Sequence, residues 1–327
     1  MSEASATPGS TFVVLMPIYE DWESASVLVG RVQKALDGVV DRVEFLLVDD
    51  GSVTPPPASI TLGASPPARV DALRLRRNLG HQRAIAVGIS HVHAHRQCDG
   101  VVVMDGDGED TPEGVAMLVR RFNELGRAKT VFAERARRTE GAVFRAFYVL
   151  YRTLHHALTG RGVRVGNFSV MPAAHLDCLV AVSELWNHYA ASVFRARLPV
   201  ATVPIDRGYR IAGASRMNFT SLLAHGLSAI SVFSDVVGMR LLMMSGLLAA
   251  LAGLAMVAAV CVRLFTDMAI PGWATTAAGI LLVVILQALL MSVVFAFLIL
   301  QARNQLAFLP IRDHAYFVDR EVPLGAS

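Results

Sequence analysis

Cysteine is scarce: Cys98, Cys178 and Cys261 are the only three in 327 residues and share no paired spacing, which excludes a disulfide framework and a cysteine-rich zinc site. No GxGxxG follows a strand-like run and no GxxxxGK[ST] occurs, so the usual dinucleotide and P-loop sites are excluded as well. Charge is thin. Asp, Glu, Lys and Arg make up 17% of the chain and the formal net charge is only +3, too little to argue for nucleic acid as a partner. The opening MSEASATPGS has neither a basic nor an apolar segment, so it predicts a disordered N-terminus over residues 1–10 and no cleaved signal peptide. No internal repeat is visible.

Apolar residues are abundant: they form 54% of the chain, and the mean hydropathy of +0.47 is high for a purely soluble domain. The excess sits in two runs. Leu241 to Val262 and Thr275 to Leu300 carry no charged residue, and about 20 apolar residues span a bilayer core as a helix, so a transmembrane hairpin over 241–300 is expected. Arg216 and Arg240 precede the first run, Arg303 and Arg312 follow the second, and the connecting loop has one Arg offset by Asp267. This asymmetry predicts an inner-membrane, multi-pass protein with both termini and the catalytic domain in the cytosol. Met217 to Gly238 is amphipathic and reads as an interfacial helix on the lipid bilayer, within a segment 217–240 that precedes the hairpin; 301–327 reads as a cytosolic tail.

The cytosolic part alternates. Strand-like runs at Phe12 to Tyr19, Val43 to Val48, Val70 to Leu75, Val101 to Met104 and Lys129 to Glu134 are interleaved with helical patterns at Trp22 to Leu36, Gly80 to His95 and Pro112 to Leu125, the last with Thr111 as N-cap. The pattern turns helical again through Gly141 to Thr159. Such alternation predicts an α/β domain over 11–216 with a doubly wound, mostly parallel sheet and flanking helices.

One stretch carries the chemistry. VVVMDGDGEDTP, Val101 to Pro112, ends a buried strand in four acids: Asp105, Asp107, Glu109 and Asp110. Ligands bind at the carboxyl ends of strands in open α/β sheets, and acids crowded there repel one another unless a cation sits among them. A hard divalent ion, Mg²⁺ or Mn²⁺, suits oxygen donors and keeps positions open for substrate phosphates. A solvated turn is the competing reading. The triplet His91, His93 and His95 has metal-like spacing but no matching carboxylate nearby in sequence, so it reads as a solvated helix end.

Five motifs stand in order: MPIYED, VDDGS at Val48 to Ser52, RNLGHQRAIAVGI at Arg77 to Ile89, the acid loop, and RGYRIAGASRMNF at Arg207 to Phe219. Together they resemble family 2 glycosyltransferases of the GT-A (Rossmann-like) fold, and among these the polyprenyl-phosphate, dolichol-phosphate-mannose-synthase-like membrane sugar transferases. The resemblance spans nearly the whole chain. It implies a nucleotide-sugar donor, UDP- or GDP-linked, gripped by Pro17, Tyr19, Glu20, Asp49, Asp50, Asn78, His81, Asp105 and Gly106. It also implies a metal reached by Asp105 and Asp107, with Glu109 standing where relatives usually have Gln and a candidate third ligand.

Asp110 matches the position that orients the loop or meets the acceptor. Arg210, Ser215 and Arg216 fall on the family's R-x-x-G-x-S-K pattern, with Arg for the usual Lys, and resemble a phosphate clamp. Arg135, Arg137 and Arg138 resemble a basic loop near the donor or acceptor phosphate. The implied catalytic set is therefore Asp107, Asp110, Arg210 and Arg216. In GNFSVMP, Gly166 to Pro172, Asn167 stands where related enzymes often carry Asp.

The implied reaction is metal-dependent, inverting transfer of a sugar to a polyprenyl phosphate of undecaprenyl or dolichyl type, and a membrane homo-oligomer is consistent with it. Transfer to another membrane acceptor, a glycolipid or glycan with Asp110 or Glu184 as base, stays open. So does a non-catalytic nucleotide-binding membrane protein. No Q-x-x-R-W motif of processive synthases is present.

Overall fold

A computed structural model describes residues 10–135, 153, 156–160, 165–211, 227–266, 272–304 and 308–325. The expected helix over Gly141 to Thr159 lies largely outside these residues, as does the first part of the amphipathic segment from Met217. Two compact units divide the chain. One holds the sheet and includes residues 308–325; the other holds the two long apolar helices and residues 156–160.

The elements of the first unit run β1 (Thr11–Ile18), α1 (Trp22–Ala35), β2 (Arg42–Asp49), β3 (Ala68–Leu75), α2 (His81–His95), β4 (Gly100–Val103), α3 (Pro112–Glu124), β5 (Thr130–Arg135), β6 (Val165–Pro172), α4 (Ala173–Leu179), α5 (Tyr189–Arg195) and β7 (Val200–Ile205). Through β5 and α3 these match the sequence periodicity to within two residues at each end. Their strands are near-continuous apolar runs because both faces are covered. Side chains of β1 alternate: Phe12, Val14 and Met16 pack with Leu28, Val32 and Phe122 of α1 and α3, whereas Val13 and Leu15 pack with Ile85 and Ile89 of α2.

The sheet has eight strands in the order β7-β5-β6-β4-β1-β2-β3-β8, where β8 is Val318–Pro323. Pairings β1–β2, β1–β4, β2–β3 and β5–β7 are parallel. Pairings β4–β6, β5–β6 and β3–β8 are antiparallel, so the sheet is mixed. β6 enters between β4 and β5, and β8 closes the β3 edge. The segment 301–327, read from sequence as a tail, thus contributes a strand to the sheet. An edge strand left bare exposes a row of unpaired backbone groups, and β8 removes that liability from β3.

In the second unit, α6 (Ser234–Phe265) and α7 (Trp273–Asn304) are each long and apolar enough to cross a membrane. Their mutual seam is built from small residues. Ser245, Ala252 and Ala259 recur every seventh position and are buried, as is Ala288, and Ser245 Oγ lies 2.7 Å from Ser292 Oγ. Small side chains and a hydroxyl pair are what let apolar helices approach closely without a hydrophobic driving force.

Candidate active site at the carboxyl edge of the sheet

β4 is short and central, so the chain that leaves it emerges in the middle of the sheet edge. The acid loop is braced from within. Asp105 N–H donates to Asp110 Oδ2 at 2.9 Å, and Glu109 N–H donates to Asp107 Oδ1 at 2.9 Å. Thr111 caps α3 as expected, accepting from Gly114 N–H at 3.1 Å, with Pro112 at the first helical position. Asp110 is only 5% exposed, and its carboxylate accepts from the Asp105 amide within the loop.

A second segment lies across this loop. After β7, Gly208 N–H donates to the Glu109 carbonyl at 2.8 Å and Ile211 N–H to the Asp107 carbonyl at 2.9 Å, so residues 207–211 form a strap on the acid loop. Gly108 makes the approach possible: its φ is +93°, and a Cβ there would stand 2.7 Å from Ile211 Cγ1. The strap brings two cations. Arg210 Nη2 is 2.6 Å from Asp107 Oδ2, and Arg207 pairs with Glu109. From the other side, His81 Nε2, at the start of α2, lies 3.2 Å from Asp105 Oδ1.

Each of the three acids therefore meets a cationic or protonatable side chain of the protein. Among the described residues no three His, Cys, Asp or Glu side chains gather as a metal-binding group. The expected common set of Asp105, Asp107 and Glu109 is divided: Glu109 turns to Arg207, and its extra negative charge relative to Gln is balanced there. Burial raises the Asp107 carboxyl above the usual range; the Glu109 amide opposes this, the charges of Asp105 and Glu109 add to it, and Arg210 works against it. For His81, enclosure lowers the pKa, but contact with Asp105 and the charges of Asp110 and Asp107 carry it above the ordinary imidazole value. The loop is a place where negative charge is in excess and positive charge is needed. Its hard oxygen donors fit a divalent cation in chemistry, with Asp105 and Asp107 as the residues that would hold it.

The expected nucleotide edge divides into builders and exposed groups. Asp50 is 4% exposed and accepts from the Leu79 and Gly80 amides at 2.7 and 2.8 Å, tying the end of β2 to the start of α2; burial raises its pKa and those hydrogen bonds oppose the rise. Asp49 is 1% exposed, accepts from Ser52 N–H at 2.8 Å, and has Arg74 Nε 3.8 Å from its other oxygen. Gly51, with φ +73°, lets the turn pass where a Cβ would meet the Asn78 backbone nitrogen at 2.6 Å.

Glu20 also builds: its carboxylate accepts from the amides of Val53 and Thr54. Pro17 is buried at the end of β1, and Gly106 passes over its carbonyl. Tyr19, Asn78 and His81 are the exposed members of the set. Arg135 is the last residue of β5. Arg137, Arg138, Ser215 and Arg216 lie outside the described residues.

Residues outside the implied site set complete the cleft. Asn167 and Asp206 line it with Asp105, Glu109, Asp110 and Arg207. Asn167 Nδ2 is 3.1 Å from His81 Nε2, and its Oδ1 accepts from Gln82 Nε2, whose own Oε1 accepts from Tyr189 N–H. Gln82 follows His81 directly in α2, but β6, which carries Asn167, gives no isolated strand signal, so this contact was not legible.

The acid loop lies within residues 13–163, which match the model of Glycosyl transferase family 2; with glycosyltransferases among its relatives, the protein is a glycosyltransferase. Among its relatives, an "Uncharacterized glycosyltransferase YkcC" of Bacillus subtilis is 24% identical over 269 residues, 81% of each chain. An undecaprenyl-phosphate 4-deoxy-4-formamido-L-arabinose transferase of an Enterobacter species is 26% identical over 249 residues, 68% of this chain and 71% of that one. Among solved structures, glucosyl-3-phosphoglycerate synthase of Mycobacterium tuberculosis, crystallised with Mn²⁺, UDP-glucose and phosphoglyceric acid, superposes with a TM-score of 0.48 at 20% identity, covering 71% of this chain and 80% of that one.

Proposed function

We infer that the protein transfers a sugar from a UDP- or GDP-linked donor to a polyprenyl phosphate at the cytosolic face of a membrane, with a divalent cation, Mg²⁺ or Mn²⁺, as cofactor. One observation carries this reading: an acid loop at the carboxyl edge of the sheet lies under an arginine-bearing strap, in a chain that also has two membrane-length helices. The undecaprenyl-phosphate transferase among the relatives supports the choice of acceptor.

The balance of the reaction is simple. A phosphate oxygen of the lipid bonds to the anomeric carbon, the bond from that carbon to the donor diphosphate breaks, and a nucleoside diphosphate leaves with the electron pair. A single displacement inverts the anomeric carbon. The attacking phosphate monoester, with a second pKa of about 6, is largely ionised at neutral pH and needs no strong base. The protein's tasks are therefore to hold the reactants in line and to neutralise charge on the leaving diphosphate. Asp110 keeps the loop in shape, Asp105 and Asp107 would hold the cation, and Arg210 is placed to meet phosphate oxygens with its bidentate fork. The cation, when bound, supplies Lewis-acid stabilisation of the diphosphate. Arg216 and Ser215, from the same motif, and Arg135 and Arg138 are assigned to the acceptor phosphate.

The test uses the full chain in detergent or liposomes with a panel of UDP- and GDP-sugars, Mn²⁺ or Mg²⁺, and polyprenyl phosphate. Lipid-dependent release of nucleoside diphosphate with formation of a lipid-phospho-sugar is expected for one donor. Absence of a lipid-dependent product with every donor overturns the reading.

A further inference from the structure

The acid loop resolves its own charge excess with residues of the chain. Asp107 has Arg210 at 2.6 Å, Glu109 has Arg207, and Asp105 has His81 at 3.2 Å. The two arginines share a strap whose backbone is fixed to the loop through the Gly208 and Ile211 amides. Their side chains can swing away while the strap stays docked, because the anchoring bonds are main-chain bonds and the guanidinium groups sit at the ends of flexible stems.

A carboxylate oxygen engaged by a guanidinium is poorly available to a second cation, since the two positive charges would repel within a few ångströms. A free divalent ion entering the loop would have to displace Arg210 and leave it beside new positive charge. A divalent ion that arrives on a diphosphate changes this balance. It brings anionic oxygens to which the displaced guanidinium can pair bidentately, so the exchange keeps every charge partnered.

Resting on the reading of the acid loop as a divalent-cation site, we propose that Arg210 and Arg207 are its resident counter-ions. They hold off free cation, so the loop takes the ion as its complex with a nucleoside diphosphate, whose phosphates receive the displaced guanidinium groups. Arg210 is the principal gate because it sits on Asp107, one of the two acids assigned to the ion. Arg207 contributes less, through Glu109.

Binding of Mn²⁺ to the detergent-solubilised full chain, followed by the electron paramagnetic resonance signal of free Mn²⁺, tests this without reference to turnover. For the unaltered chain, Mn²⁺ alone is expected to bind at least tenfold more weakly than Mn²⁺ in the presence of UDP or GDP. Arg210→Gln is expected to bind Mn²⁺ alone about tenfold more tightly than the unaltered chain, with most of the nucleotide enhancement gone; Arg207→Gln shifts in the same direction by less. If Arg210→Gln binds Mn²⁺ alone no more tightly, the gating role is overturned while the cation site stands. Should no variant bind Mn²⁺ with or without nucleotide, the cation reading itself falls. Arg210→Ala likewise removes the charge and serves if the Gln variant does not fold; a shift of the same sign supports the gate, and none overturns it.

Discussion

Two clusters of the same chemistry sit at different edges of one unit. At the far edge of the sheet, Arg96 reaches Asp71 at 2.9 Å, Glu44 at 3.8 Å and Glu321, while Arg69 joins Asp71 at 2.7 Å and His91 donates to Glu321 at 3.0 Å. Arg96 is 10% exposed by its side chain and Asp71 1%. Here one cation serves several acids and one acid several cations, so no member can leave without stranding others. In the acid loop Arg207 meets Glu109 and Arg210 meets Asp107, and the side chains are more open: 41% and 19% exposed for Arg207 and Glu109, and 24% and 16% for Arg210 and Asp107. A closed, shared network suits a joint that must hold, whereas accessible pairs can be exchanged for a ligand.

The largest effect expected from this contrast is on chemistry. Asp107→Asn removes the acid that the strap neutralises and that the donor's cation would need, and should lower sugar transfer by about 100-fold or more, the scale of losing one preorganised charge-stabilising group. Its thermal midpoint should stay within a few degrees of the parent's, because the residue it strands, Arg210, reaches solvent. Transfer rates and thermal melts on the same preparation check this; full activity would return the loop to the status of a solvated turn.

Arg96→Ala should do the opposite. It leaves Asp71 buried beside Arg69 alone and leaves Glu321 without its closest cation, and breaking a buried ion network by removing one partner costs about 3 kcal/mol. A lowered melting temperature is expected, with transfer per folded molecule unchanged, since the cluster lies away from the acid loop. A loss of turnover at unchanged stability would mean that the two edges are coupled and the comparison is wrong.

How much of this was written in the sequence differs between the clusters for a physical reason. The acid loop was legible because a buried run followed at once by Asp105, Asp107, Glu109 and Asp110 is a local signal. Its partners were less so: Arg210 stood in a motif, but nothing local says that Arg207 meets Glu109, since the strap is placed by β7. The far cluster was illegible. His91, His93 and His95 have no carboxylate nearby in the sequence, yet Glu321 comes to His91 from 230 residues away and Asp177 lies 2.8 Å from His93. The first contact depends on β8 closing the β3 edge, on the far side of two apolar helices in sequence, and the second on α4, which carries Asp177. The fold was readable as far as strands alternate with helices; β7 and β8, shorter and half-exposed, and β6, inserted by antiparallel long-range pairing, were not isolated.

The smallest expected effect tests whether the far cluster is the closed network described. Glu321 is held below the usual carboxylate range by the hydrogen bond from His91 first, with the charges of Arg96, His91 and Arg69 adding to it and partial burial opposing. A depressed folded-state pKa contributes stability above the unfolded value of 4.5, and that contribution is lost as pH falls through the lower folded value. The parent should therefore lose β8 docking stability on acidification through that window. Glu321→Gln should be less stable at pH 6, by about 1 kcal/mol or less for a partly exposed pair, and should show a flatter acid limb. Thermal midpoints of both proteins at pH 6 and in steps below pH 4.5 measure the difference. Parallel acid limbs in parent and variant would mean that Glu321 is not the titrating partner of His91 and Arg96, and that β8 is held by its backbone ladder alone.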